Sequence, residues 1–101
     1  MGKVSMIGTI TCVEGKADEM AVVLGQMVEA ARDEPGCEVY SYHRAPDDTF
    51  HFFALMESEE AMAAHGQSPA MQQAMQAFMP LMAAPPQMTP STPIGAIGLD
   101  L

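Results

Sequence analysis

The chain has 101 residues, with thirteen acids against four bases and a formal net charge of −9. That length fits one domain, residues 1–101, around one core, and the 49% of residues that are apolar exclude a disordered chain. Without a cationic face there is no nucleic-acid partner, and an anionic membrane surface is disfavoured for the same reason.

No apolar run approaches the ~20 residues of a membrane span, and the first residues lack a charged-then-apolar signal pattern. Met1-Gly2 is not followed by the Ser or Thr at position six that myristoylation needs, because Met6 stands there. A cytoplasmic location is expected. Cys12 and Cys37 are then reduced thiols that serve packing.

The first strand is expected over Val4 to Val13, which is rich in β-branched residues. Met6, Gly8, Ile10 and Cys12 alternate with Ile7, Thr9, Thr11 and Val13, and apolar groups on both faces predict a strand covered on both sides. After the Gly15-Lys16 break a helix is expected from about Ala17 to Asp33. Met20, Val23, Leu24, Met27, Val28 and Ala31 recur on it at the spacing of one buried stripe, and Asp18 and Glu19 suit its first turn. Pro35-Gly36 ends it.

Glu38 to Arg44 reads as a second strand, Ala45-Pro46-Asp47-Asp48-Thr49 as a turn, and Phe50 to Glu57 as a third strand. A five-residue turn sets His43 opposite His51 and Tyr42 opposite Phe52. One face of this hairpin then carries Tyr40, Tyr42, Phe50, Phe52, Ala54 and Met56, and the other Val39, Ser41, His43, His51, Phe53 and Leu55. Ser58 is the N-cap of a short helix with Glu59 and Glu60 in its first turn. Ser68-Pro69 begins another, with Met71, Met75, Phe78, Met79 and Met82 on one side. Residues 80 to 93 hold five prolines and read as an extended crossing segment. Ile94-Gly95-Ala96-Ile97-Gly98-Leu99 is expected as a last strand, weak by itself because of its two glycines.

Strand, helix, strand, strand, helices, strand is an α+β order of two split βαβ units, a ferredoxin-like βαββαβ fold with an antiparallel sheet. The terminal strand needs an outside sheet edge.

The residues from Glu34 to Arg44, Glu-Pro-Gly-Cys followed by a strand, stand before Glu57-Ser58, His65 and Ser68-Pro69. That order resembles the antibiotic biosynthesis monooxygenase (ABM) domain over nearly the whole chain. The family pattern is helix, Pro-Gly-Cys or Pro-Gly-Phe, two strands, Trp-x-Ser, helix, His, Ser/Thr-Pro. The resemblance implies a homodimer in which two sheets pack as a dimeric α+β barrel and the C-terminal strand reaches the partner. It also implies oxidation of a quinol or small polycyclic phenol by O2 without flavin, metal or other cofactor, because the deprotonated substrate itself reduces O2. The protein then supplies a base, orientation and a dry cavity.

His65 falls where the family commonly carries a His, and an imidazole can take a phenolic proton at neutral pH; it can equally brace the sheet through a backbone carbonyl. Tyr40, Tyr42 and Arg44 are candidates to orient a polar substrate edge. Quinone-forming relatives carry Asn and Trp on strand three, Tyr on the next helix and Arg on the last. The corresponding residues here are Phe52, Met56, Met62 and Gln76. A haem-degrading branch uses Asn, Trp and a His; here Met56 holds the Trp place and the His place is near Met75.

No Gly-rich phosphate loop, nucleophile elbow, Cys-x-x-Cys or His-Glu-x-x-His is present. His43 and His51 offer two imidazoles, but a metal needs a third ligand, and Glu57 and Cys37 are ~20 Å away at strand rise. No metal site is expected. Met71, Met75, Met79 and Met82 at helical spacing suit Cu(I) or, as the favoured reading, an adaptable core and pocket wall. Three readings follow: a cofactor-independent monooxygenase with His65 as base, a non-catalytic dimer that binds an apolar aromatic ligand, and a structural partner domain with no filled cavity.

Overall fold

The computed structural model describes residues 2–101. Strand β1 (Val4–Thr11) leads into helix α1 (Ala17–Ala31), and the hairpin β2 (Cys37–Arg44) and β3 (Thr49–Met56) follows. Helices α2 (Glu59–His65) and α3 (Pro69–Phe78), a 3₁₀ turn at Met79–Leu81 and strand β4 (Gln87–Ser91) complete the chain. The sheet is antiparallel in the order β2-β3-β1-β4, the ferredoxin-like arrangement.

The buried stripe of α1 is Ala17, Met20, Val23, Leu24, Met27 and Ala31. It meets Ile10 of β1, Phe50 of β3, and Met71, Ala74 and Phe78 of α3 in one cluster. Fully burying a side chain such as Leu24 or Phe50 contributes about 1.5–3 kcal/mol, so this cluster holds the helices to the sheet. A second cluster on the same face is smaller: Phe52, Ala54 and Met56, with Tyr40, Tyr42 and Met62 against it. Met79, expected on the buried side, is exposed because the chain tightens to a 3₁₀ turn there and rotates it outward.

The hairpin register sets His43 opposite His51 and Tyr42 opposite Phe52. Its turn is held by Asp47, whose carboxylate accepts from the Thr49 N–H at 3.0 Å, and by Asp48 at φ 66°. A bulge between Cys37 and Val39 brings Cys37 round to the helix-covered face, opposite Met56. The two helix caps are formed by Ser58, which accepts from Ala61 N, and Ser68, which accepts from Met71 N, each at 3.0 Å.

The end of the chain departs from expectation. The strand that completes the sheet is Gln87–Ser91, inside the proline-rich segment, and residues 94–99 form no strand. Pro90 is tolerated because β4 is an edge strand. Gly8 of β1 stands opposite Met88, and a Cβ at Gly8 would collide with the Met88 sulfur and the Gln87 carbonyl. With that edge of β1 occupied, Ile94 and Ile97 extend into solvent. The first strand, expected to be covered on both sides, has helices on one face. On the other, Ile7 opposite Phe53 is 52% exposed.

Pro35-Gly36 does more than end a helix. Gly36 has φ 84°, its carbonyl accepts from Glu57 N at 2.8 Å, and a Cβ there would lie 2.7 Å from the Ala61 Cβ of α2. Gly36→Ala is expected to cost roughly 2–4 kcal/mol, from left-handed backbone strain and overpacking. Urea unfolding measures it, and a loss below about 1 kcal/mol would mean that α2 shifts freely away from the loop.

Candidate functional site

Between the second cluster and helices α2 and α3 lies a cavity of about 310 Å³. The sheet supplies Tyr40 and Tyr42 from β2, Phe52, Ala54 and Met56 from β3, and Met6 and Met88 from the strands beyond. The helices close it with Met27, Met62, His65, Met71, Met75 and Phe78. Seven of the chain's eleven methionines thus line one space, whose walls carry no Lys, Arg, Asp or Glu. Long unbranched thioethers fill irregular gaps and re-pack at low cost, which leaves such a wall adaptable in shape.

Of the residues singled out in the sequence, Tyr40, Tyr42, Phe52, Met56, Met62, His65 and Met75 come together here. Gln76 does not. It follows Met75 on α3, a rotation of about 100° away, and is exposed. Arg44 is also elsewhere, paired with Asp18 and Asp48 and lying over the Phe50 ring. His43 and His51 are exposed on the opposite sheet face. Among the described residues no three His, Cys, Asp or Glu side chains are grouped to hold a metal.

His65 ends α2 and reaches the cavity, its ring 4.9 Å from that of Tyr40. Its Nδ1 is 2.6 Å from the Glu34 carboxylate, and the two side chains are only 15% and 11% exposed. The other Glu34 oxygen accepts from the Ser68 hydroxyl at 3.3 Å. Glu34 therefore ties the loop after α1 to the end of α2 and the start of α3. Sequence reasoning missed this role: Glu34 is 31 positions from His65, and no local pattern links them. The signal in retrospect is the Glu before Pro35-Gly36, a carboxylate that the left-handed Gly36 turns back toward α2.

The two tyrosines form the other polar feature. Their hydroxyls are 2.8 Å apart, and the Tyr42 hydroxyl points to the Met27 sulfur at 4.0 Å. Burial pushes the Tyr40 phenol far above its ordinary range and Tyr42 up to about 12. Both stay neutral hydrogen-bonding groups at physiological pH. Burial, and after it Glu34, likewise push the Cys37 thiol up, away from the reactive thiolate.

The antibiotic biosynthesis monooxygenase family matches residues 3–77. Among solved structures, the putative antibiotic biosynthesis monooxygenase of Chloroflexus aurantiacus J-10-fl is 26% identical, covers 98% of this chain and 100% of its own, and superposes with a TM-score of 0.84. One of the same description from Caulobacter crescentus CB15 is 25% identical over 93% of this chain and 92% of its own, with a TM-score of 0.86. SnoaB, a cofactor-independent oxygenase from Streptomyces nogalater, shares the fold at 16% identity, with 98% and 100% coverage and a TM-score of 0.84. No curated protein matches the chain. No helix among the described residues is long and apolar enough to cross a membrane.

The tyrosine pair makes stability depend on alkali. Unfolded phenols ionise near pH 10 while the buried ones hold their protons, so the folded state binds more protons above that pH and stability falls as pH rises. For Tyr42 the loss reaches about 2–3 kcal/mol by pH 12. Urea midpoints at pH 8 and pH 11 for the wild type and the Tyr40→Phe/Tyr42→Phe pair measure it. The wild type should lose more than the variant, and equal losses would show that the phenols are not the cause.

Proposed function

The chain belongs to the antibiotic biosynthesis monooxygenase family, and from that premise we propose that it is a cofactor-independent monooxygenase acting on a quinol or small polycyclic phenol, with His65 as the base. The observation that carries this reading is a nearly buried imidazole on the wall of an apolar cavity, its Nδ1 held by a carboxylate. About 310 Å³ accommodates two or three fused rings, and a wall without charged groups favours a neutral ligand over an acid or a phosphate ester.

In this mechanism His65 takes the phenolic proton. The phenolate, electron-rich and held away from water, gives one electron to O2, and the resulting superoxide and phenoxyl radical combine at a ring carbon. The peroxide anion takes back the proton held on His65, and where that carbon bears a hydrogen, loss of water from the resulting hydroperoxide leaves a carbonyl. One oxygen atom of O2 ends in the product and the other in water. A general base contributes roughly 10²–10⁴-fold. Phe52, Met56, Met62 and Met75 form the apolar wall against the rings; Tyr40 and Tyr42, kept neutral by burial, offer hydroxyls to the substrate oxygens.

A second reading rests on a specific observation: the wall at Phe52, Met56 and Met62 is wholly apolar and Gln76 lies outside it. Such a site can hold an aromatic ligand without reacting it, as a dimeric binding module. Oxygen uptake under air with hydroquinones and anthrols, corrected for autoxidation, separates the two. Uptake that needs the protein and falls at least about 100-fold in His65→Ala supports the base; ligand binding without uptake supports the binding module.

The reading includes a homodimer. The exposed Ile7 on the helix-free sheet face and the fully exposed Ile94 and Ile97 support it, as apolar surface that a second copy can cover. Because β4 ends at Ser91, a chain ending at Pro93 keeps its sheet and loses only the tail. Light scattering should then find a monomer; a dimer would remove the tail from the interface.

A further inference from the structure

Glu34 is a nearly buried carboxylate that neither ends a surface ion pair nor touches the cavity, yet it receives two hydrogen bonds from side chains on two other elements. We infer that Glu34 is the positioning residue of the site: by accepting from His65 Nδ1 it fixes the tautomer in which Nε2 is the bare, proton-accepting nitrogen facing the cavity. This inference rests on the proposed oxygenase reading only for its consequence in turnover; the tautomer itself does not.

An ionised carboxylate can only accept. The Ser68 hydroxyl accepts from the Met71 N–H at 3.0 Å, so its own hydrogen is free to go to Glu34 Oε2 at 3.3 Å. The remaining oxygen, Oε1, faces His65 Nδ1 at 2.6 Å, and that nitrogen must supply the hydrogen. A neutral imidazole has one N–H, so Nε2 is left with a lone pair. Among the described residues Nε2 has no hydrogen-bond partner, and no buried side-chain nitrogen or oxygen lacks one, so Nε2 is accessible, on a side chain that lines the cavity. The imidazolium formed when it takes a proton would rest against the Glu34 charge, as in a Ser-His-Asp triad.

The geometry is over-determined by the backbone. Gly36 locks the loop against Ala61 near the start of α2, and Glu34, two residues earlier, holds the residue that ends it. Ser68, three residues beyond His65, is fixed by its own capping bond. The carboxylate has little freedom to offer His65 anything but an acceptor.

Heteronuclear NMR of the imidazole nitrogens tests this, with the His65 signals assigned by their absence in His65→Ala. At a pH where the ring is neutral, wild-type His65 should show a protonated Nδ1 and a bare Nε2. In Glu34→Gln the amide oxygen satisfies Ser68 and the amide NH₂ turns to Nδ1, so the hydrogen should move to Nε2. With naphthohydroquinone as the probe, kcat should fall 10-fold or more, up to the roughly 10²–10⁴-fold that a general base contributes, with KM changed less than about threefold.

A wild-type Nε2–H tautomer overturns the inference, and that spectrum needs no variant to fold. A Glu34→Gln protein that is less stable but turns over at the wild-type kcat also overturns it, leaving Glu34 a brace. If neither the wild type nor any probe gives turnover, the oxygenase reading fails alone, and the tautomer still decides whether Glu34 positions His65.

Discussion

At Gly36 the loop after α1 approaches α2 so closely that a methyl group would not fit, and the location of His65 depends on that approach. The Gly36 carbonyl receives the Glu57 N–H and so fixes where β3 gives way to α2. A helix of 7 residues then spans about 10 Å and delivers His65 back to Glu34 on the same loop. Both ends of α2 are thus tied to one short stretch of chain. A carboxylate, a left-handed glycine and a capped helix act as one unit, and moving any of them moves the imidazole.

The two halves of the helix-covered face show how the same sheet supports both a core and a cavity. Against α1, β-branched and aromatic side chains such as Ile10 and Phe50 close the space completely. Toward α2, that helix buries none of its residues fully, and the gap is walled by methionines. A cavity lined this way costs contacts that a filled core would make, and the protein tolerates it because the first cluster carries the packing. The polar groups are confined to His65 and the Tyr40–Tyr42 pair. Orientation of any ligand therefore depends on few hydrogen bonds, and the remaining recognition is of shape and polarizable surface.

The acidic balance of the chain acts outside this space. With a net charge of −9 the surface repels anions, and the four bases are engaged in ion pairs with Glu38, Glu19, Glu29, Asp18 and Asp48. None is free to draw a charged substrate inward, so the approach of a neutral, apolar molecule is the one the field does not oppose.

Local pattern made much of this legible. The stripe on α1, the caps at Ser58 and Ser68, the hairpin turn and its register follow from periodicity of 3.6 and 2, from side chains that satisfy helix N–H groups, and from residues that accept turn dihedrals. These are interactions among near neighbours in sequence, so residue order alone determines them. The order of elements and the resemblance of the Glu34 to Pro69 stretch to a family both pointed to the fold, and the cavity brings together seven of the nine candidate site residues, all but Arg44 and Gln76. The last strand and the Glu34–His65–Ser68 link were decided only in three dimensions. Pro90 is acceptable where it is because β1 has Gly8 beneath Met88 and an open edge. Glu34 finds His65 only once Gly36 has folded the loop onto α2. Both depend on which distant backbones come into contact, and that depends on the packed volume of the whole domain, which no local pattern records.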